Sequence, residues 1–190
     1  MKQKVLSLID MYVDKIKGVE IPLAKIRVDI FESYVLKKRM SDNPRDDAYE
    51  DYAVSFTQPF TWIQDYVRDF FALDYKKTLI SCSHWGNIYG PLEQSRNRSN
   101  ADPVNFSKTA DYTYVYGVDV QPDSCELVIE YDDNRRKKNT WHIPLETNKF
   151  ILFPSTQRYF ISKNKGCEMN VFLTVNSEYV RKTSEPLYEP

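Results

Sequence analysis

Few residues in this sequence could carry metal or nucleophilic chemistry, and their spacing is unhelpful to it. A centre built on two imidazoles would need both histidines, His84 and His142, yet no carboxylate lies two residues from either. Each stands beside a tryptophan (His84-Trp85, Trp141-His142) in a run that reads as a strand, where a structural or surface role is the expected one. Cys82, Cys125 and Cys167 are far apart, odd in number and without metal-ligand spacing, which reads as reduced thiols of an intracellular protein. Asp46, Asp47, Glu50 and Asp51 could supply carboxylates, but a solvated face or loop is the preferred reading. The basic quartet Arg135, Arg136, Lys137, Lys138 could meet phosphate or an acidic partner and is read instead as a solvated hairpin end. No Gly-x-Ser-x-Gly signature is present, and five glycines leave no phosphate loop or dinucleotide fingerprint. Tyr112, Tyr114 and Tyr116 share one face at a period of two, as core or interface residues rather than a platform for bases.

The elements that must position these groups follow from periodicity. Val5, Leu8, Ile9, Tyr12 and Ile16 predict a first amphipathic helix ending near Gly18, and Ile26, Val28, Ile30, Tyr34 and Val35 predict a strand within Lys25–Met40. Thr57 and Pro59 open a second helix carrying Ile63, Tyr66, Val67 and Phe70. Seven β-rich runs then follow: Thr78–Tyr89, Tyr112–Val120, Glu126–Tyr131, Thr140–Leu145, Phe150–Phe153, Tyr159–Ser162 and Met169–Val175. Gln121-Pro122-Asp123-Ser124 and Glu146-Thr147-Asn148 carry turn chemistry. The segment Gly90–Thr109 is long and polar for a connection, and residues 180–190 read as an extended C-terminal arm.

At 190 residues the chain suits one domain. The expected unit spans 1–179, with helices and an early strand over 1–76 and a β core over 77–179. The fold class is mainly β (α+β), with N-terminal buttressing helices laid on a jelly roll or barrel. Twenty-six cations against 27 anions exclude a global field for nucleic acid or an anionic membrane, so neither a sequence-specific nucleic acid nor a membrane is expected as partner. Charges interrupt the apolar run of the first seventeen residues, which reads as neither a signal peptide nor a membrane span.

The run Lys149–Asn176, with its Leu152-Phe153-Pro154-Ser155 phrase, resembles the closing part of the iron(II)/2-oxoglutarate oxygenases of tailed bacteriophages. Ser83–Gly90 looks like that family's first core strand, and Thr109–Pro122 like the strand after its His-x-Asp or His-x-His motif. The likeness covers roughly Lys77–Asn176 and implies a double-stranded β-helix. In the family two His and one carboxylate hold iron on one face, and an Arg holds 2-oxoglutarate. Mapped by spacing, the paired ligands fall on Asn105 and Ser107, the distal His on Tyr159, the Arg on Asn170 and a neighbouring Ser on Phe172.

Every mapped position departs from the pattern. The expectation is therefore a degenerate member: no catalytic, cofactor-binding or metal residue, no cofactor, and a non-enzymatic structural or assembly protein of a tailed-phage virion, in its neck, tail or baseplate region. Its partners would be other proteins of the assembly, phage structural proteins or further copies of itself. It would reside in the host cytoplasm during synthesis and then in the virion. The alternatives are an iron(II)/2-oxoglutarate oxygenase with unusual ligands, and a binding module whose vestigial pocket holds a small polar ligand.

Overall fold

Beyond Lys77 the alternation of β-branched and aromatic residues produces strands wherever the sequence predicts them. The computed structural model describes residues 10–17, 22–40, 51–75, 78–102, 104–134 and 137–180. In chain order these form β1 (Tyr12–Lys15), α1 (Leu23–Met40), α2 (Gln58–Tyr75), β2 (Thr78–Tyr89), a 3-10 turn (Phe106–Lys108), β3 (Tyr112–Asp119), β4 (Glu126–Asn134), β5 (Lys137–Pro144), β6 (Lys149–Pro154), β7 (Arg158–Ile161) and β8 (Asn170–Val180). Each of the seven expected runs coincides with a strand to within a few residues at its ends.

All strand pairs are antiparallel, in a larger sheet ordered β1-β6-β3-β8-β2 and a smaller one ordered β5-β4-β7. Because side chains alternate across a strand, β8 feeds two cores. Leu173 and Val175 face a cluster shared with Ile26, Ile30, Ile63, Val67 and Phe71 of the helices. Phe172 faces the space between the sheets, with Tyr89, Val115, Ile151 and Phe153 from one and Leu127, Ile129, Ile143, Tyr159 and Ile161 from the other. The architecture is a double-stranded β-helix with two helices laid on the outside of its larger sheet. Tyr114 and Tyr116 belong to the helix-facing core, with Tyr112 packed against it.

Turn chemistry is as expected. Asp123 and Asn148 take positive φ (54° and 68°), the left-handed region that short Asx side chains tolerate. Thr57 opens α2 through its carbonyl, which accepts from Thr61 N at 3.0 Å.

Two early expectations are overturned. Tyr12–Lys15, expected as helix, pairs with Leu152–Lys149 as an edge strand. The spacing of Tyr12 and Ile16 fits one helical face, but four residues suffice for the observed ladder. The strand expected in Lys25–Met40 is instead α1. Ile26 and Ile30 are both 0% exposed at i and i+4, whereas Val28 between them is 52% exposed, the reverse of a strand's alternation. Gly86 lets α1 approach β2, since a Cβ there would lie 2.6 Å from Ile30 Cγ1. Of the acidic stretch only Asp51 lies within the described residues. Arg135 and Arg136 lie outside them, as do the first nine residues and 181–190; Val180, the first residue of the expected arm, closes β8.

Candidate site at the mouth of the barrel

Five polar side chains converge where β3, β6, β7 and β8 open at one end of the barrel. Thr113 and Ser155 are wholly buried and joined Oγ to Oγ at 2.8 Å. Thr113 Oγ1 also donates to Asn176 Oδ1 at 2.8 Å. The Gly90–Thr109 connection closes this mouth. Leu92 N donates to Asn164 O, Ser95 N to Ile161 O, and Arg98 and Tyr159 exchange both backbone bonds at 2.8 and 2.9 Å. That strand-like lay-down aims Arg98 and Asn100 the same way, because alternate residues share a side. Asn100 Nδ2 then reaches Thr113 Oγ1 at 2.9 Å, Asn176 Oδ1 at 3.0 Å and Tyr159 OH at 3.3 Å.

A second chain of bonds leads inward from the rim. Arg98 Nη1 donates to Asp51 Oδ1, which also accepts from Asn87 Nδ2 at 3.2 Å; Asn87 Oδ1 accepts from Thr174 Oγ1 at 2.9 Å. Asn87 and Thr174 are buried, so their mutual satisfaction is what burial demands. Burial raises the Tyr159 phenol to about 12, with the Asn100 bond and the Arg98 charge pulling the other way. It therefore stays a neutral phenol at any ordinary pH.

These groups do not suit a resident iron(II). Neutral amides and hydroxyls are poor ligands for it beside imidazole, a protonated phenol is poorer than a phenolate, and the Arg98 cation repels a second one. Both histidines lie elsewhere. His84 Nε2 donates to Val54 O at 3.1 Å and packs on Phe56 and Phe60 outside the barrel. His142, 53% exposed on β5, meets Glu126 at 2.9 Å. Among the described residues no three His, Cys, Asp or Glu side chains gather to hold a metal.

The mapped 2-oxoglutarate positions serve packing. Asn170, 0% exposed, takes the Gln121 N–H at 3.0 Å and donates to Ser124 Oγ at 2.9 Å, which pins the turn between β3 and β4. Phe172 is 0% exposed within the barrel. Asn105 and Ser107, the positions onto which spacing maps the ligand pair, meet each other on an exposed turn rather than Tyr159. Asn105 caps the exposed 3-10 turn, its Oδ1 accepting from Ser107 N at 3.1 Å and Ser107 Oγ at 2.6 Å. Arg98-Ser99-Asn100 has the same one-residue spacing and is the pair that meets Tyr159. Spacing alone could not find it, because a twenty-residue connection has no fixed register to its neighbours. Asp51, expected on a solvated face or loop, is instead held by Arg98 and Asn87, and Asn87 was not singled out at all, since the partners of both are reached only across the fold.

No protein-family model matches the sequence, and no curated protein matches it. Solved structures do. A non-heme α-ketoglutarate dependent carbocyclase from nogalamycin biosynthesis aligns with a TM-score of 0.63 at 10% identity over 88% of this chain and 78% of its own. A viral collagen prolyl hydroxylase from Paramecium Bursaria Chlorella virus-1 gives 0.54 at 14% identity over 87% and 95%. A prolyl-4-hydroxylase from Pseudomonas putida gives 0.54 at 9% identity over 88% and 91%. At such identities the likeness is one of fold.

Proposed function

We propose that this oxygenase-like double-stranded β-helix is a non-enzymatic scaffold that works through protein contacts, as a structural component of a tailed-phage particle. The observation that carries the reading is the barrel mouth: Arg98, Asn100, Thr113, Ser155, Tyr159 and Asn176 bond to one another or to Asp51, and among the described residues no set of acidic and imidazole ligands stands there. Fold likeness to oxygenases leaves activity open, because function resides in the site rather than in the fold.

A second observation favours contact with other proteins. The connection across the mouth turns apolar side chains outward, with Leu92 69%, Val104 93% and Phe106 67% exposed, and its backbone is tied to the barrel at Leu92, Glu93, Ser95 and Arg98. Apolar anchors on a fixed backbone lose little freedom on docking. The phage setting rests on the resemblance of the Leu152–Ser155 phrase and its flanking strands.

The test is an anaerobic titration with iron(II) and 2-oxoglutarate. The expected result is no charge-transfer band at one equivalent and no consumption of 2-oxoglutarate. A stoichiometric band that disappears in Tyr159→Ala or His84→Ala would overturn the reading in favour of an oxygenase with unusual ligands. In parallel, Leu92→Ser/Val104→Ser/Phe106→Ser is expected to fold normally and to lose incorporation into particles; normal incorporation would remove this surface from the proposal.

A further inference from the structure

Helix α1 is apolar on two opposite faces. Ile26 and Ile30, both 0% exposed, pack into the helix-facing core, and Ser33 Oγ on the same side donates to Ala53 O at 2.7 Å. Ala24, Val28, Phe31 and Val35 make a second stripe on the side away from that core and line one groove along the helix. Val28 is 52% and Val35 40% exposed, and Phe31 is half-buried. A surface helix ordinarily turns charge toward water opposite its core, whereas one that is apolar all round is a buried helix. The outward stripe of α1 thus has the composition of a covered face.

Its spacing and its borders narrow what covers it. The four residues follow one another by four, three and four positions, the alternation of a seam along which two helices interlock. Lys25 and Glu32 border the stripe on one side, both exposed, and neither side chain is engaged by a described residue. In a twofold pair every contact occurs twice, so a self-complementary face carries both signs of charge at positions that the axis interchanges. Seating the stripe antiparallel on its own copy sets Val28 against the partner's Phe31 and Ala24 against the partner's Val35. The same register brings Lys25 beside the partner's Glu32, and Glu32 beside the partner's Lys25. A slip of one heptad toward one end opposes Glu32 to Glu32, and toward the other end Lys25 to Lys25. A parallel pair would need Arg27 to meet Glu32, and Arg27 is already held by Asp119 at 2.7 Å. The charges therefore select one arrangement among those the seam allows.

We propose that this chain associates with a second copy of itself through the outward face of α1, antiparallel about a twofold axis level with Asp29 and Ile30. The inference rests on the reading of a protein that works through contacts, and names one partner and the surface that meets it.

The measurement is sedimentation equilibrium of the full chain over about a hundredfold range of concentration. The average mass is expected to rise from the 22.5 kDa of one chain toward twice that value. Lys25→Glu and Glu32→Lys are each expected to weaken association about tenfold or more, since each turns two attractions into two repulsions. An equimolar mixture of the two variants is expected to restore the dimer, because every facing pair is then opposite in sign. Lys25 and Glu32 lie about 10 Å apart along the helix axis, too far to pair within one copy, so this restoration reads contact between copies. A chain that stays monomeric at every concentration would overturn the proposal, as would a dimer indifferent to both substitutions or a mixture that fails to associate. Val28→Ser/Val35→Ser, which changes helix propensity little, is expected to abolish the dimer and leave the Tm of the monomer unchanged. A lowered Tm at concentrations where the unaltered chain is monomeric would mean that the chain covers this face itself, and the proposal would fall. It would fall too if the chain alone were monomeric and that variant lost incorporation into particles, because the face would then belong to a different protein. Each of these failures leaves the assembly reading standing, since that is judged by iron binding and by the Leu92, Val104 and Phe106 variants. Turnover of 2-oxoglutarate would sink the assembly reading and leave the dimer result intact.

Discussion

Phe172→Ala separates a filled barrel from a latent pocket. Phe172 is 0% exposed, and its ring lies 6.1 Å from that of Tyr89 at 42°. Around it stand Val115, Leu127, Ile151, Phe153 and Tyr159, contributed by both sheets. Truncating such a phenylalanine removes its transfer free energy and leaves a void that the β scaffold cannot collapse around, a loss of about 3–5 kcal/mol. Some 0.5–1.5 kcal/mol of that is the ring pair with Tyr89. For a chain of this size the Tm should fall by about 6–20 °C, at 2–4 °C per kcal/mol. Urea melts followed by far-ultraviolet circular dichroism should show a lower midpoint at unchanged slope. The void would be apolar on most sides, so benzene should restore part of the loss, as it does in engineered dry cavities, and 2-oxoglutarate should not. A cost under about 1 kcal/mol would mean that β8 is not packed as described. Stabilisation of the variant by 2-oxoglutarate would mean that Phe172 occupies a working anion site.

Three further outcomes are expected. Asp51→Ala should cost about 1–2 kcal/mol, below the range for a fully buried pair because Asp51 is 45% exposed, and Arg98→Met on that background should recover part of it; a thermal melt showing no recovery would mean that Arg98 is satisfied without Asp51. Tyr159 titrates at about 12 when folded against about 10 when unfolded, so its contribution is complete below pH 10 and is lost as pH rises through 12. Ultraviolet titration should show a late group of phenols that ionise only with unfolding, with one fewer in Tyr159→Phe. The Glu146 carboxyl is held below its usual value by hydrogen bonds from Lys149 at 3.1 Å and Lys15 at 3.3 Å. Its contribution is present above the ordinary carboxylate pKa and lost as pH falls through the lowered one. Glu146→Gln should flatten the acid limb of the stability curve, and an unchanged limb would refute the assignment.

Why the second half of the chain was legible and the first was not follows from particular residues. Past Lys77 each strand buries one face against a distinct core, so period two is written into the sequence, as in Tyr114, Val115 and Tyr116 with their opposite facings. In α1 the signal is blurred because Val28, Val35 and Leu36 are apolar yet 40–58% exposed, which leaves no clean polar face to mark the helix. Lys37, Lys38 and Arg39 in its last turn, which complement the helix dipole, were the available cue. β1 is too short to carry periodicity of its own and takes its form from β6. At the mouth, Tyr159 was found from the Pro154-Ser155 phrase because a tight turn fixes the count. Arg98 and Asn100 sit in a connection whose geometry is set by what it lies on.

The pairing of Tyr12–Lys15 with Lys149–Leu152 has a bearing on how the molecule is made. A ribosome adds about 5–20 residues each second, so the first strand to emerge waits roughly 7–30 s for its neighbour to be synthesised. β2 waits likewise for β8, which supplies its whole ladder. Among the described strands only β4 and β5, adjacent in sequence, can close a hairpin at once. The larger sheet therefore forms in a late step dominated by distant contacts, slow by the topology rule, and until then Tyr12, Val13 and the β2 edge are open to other nascent chains.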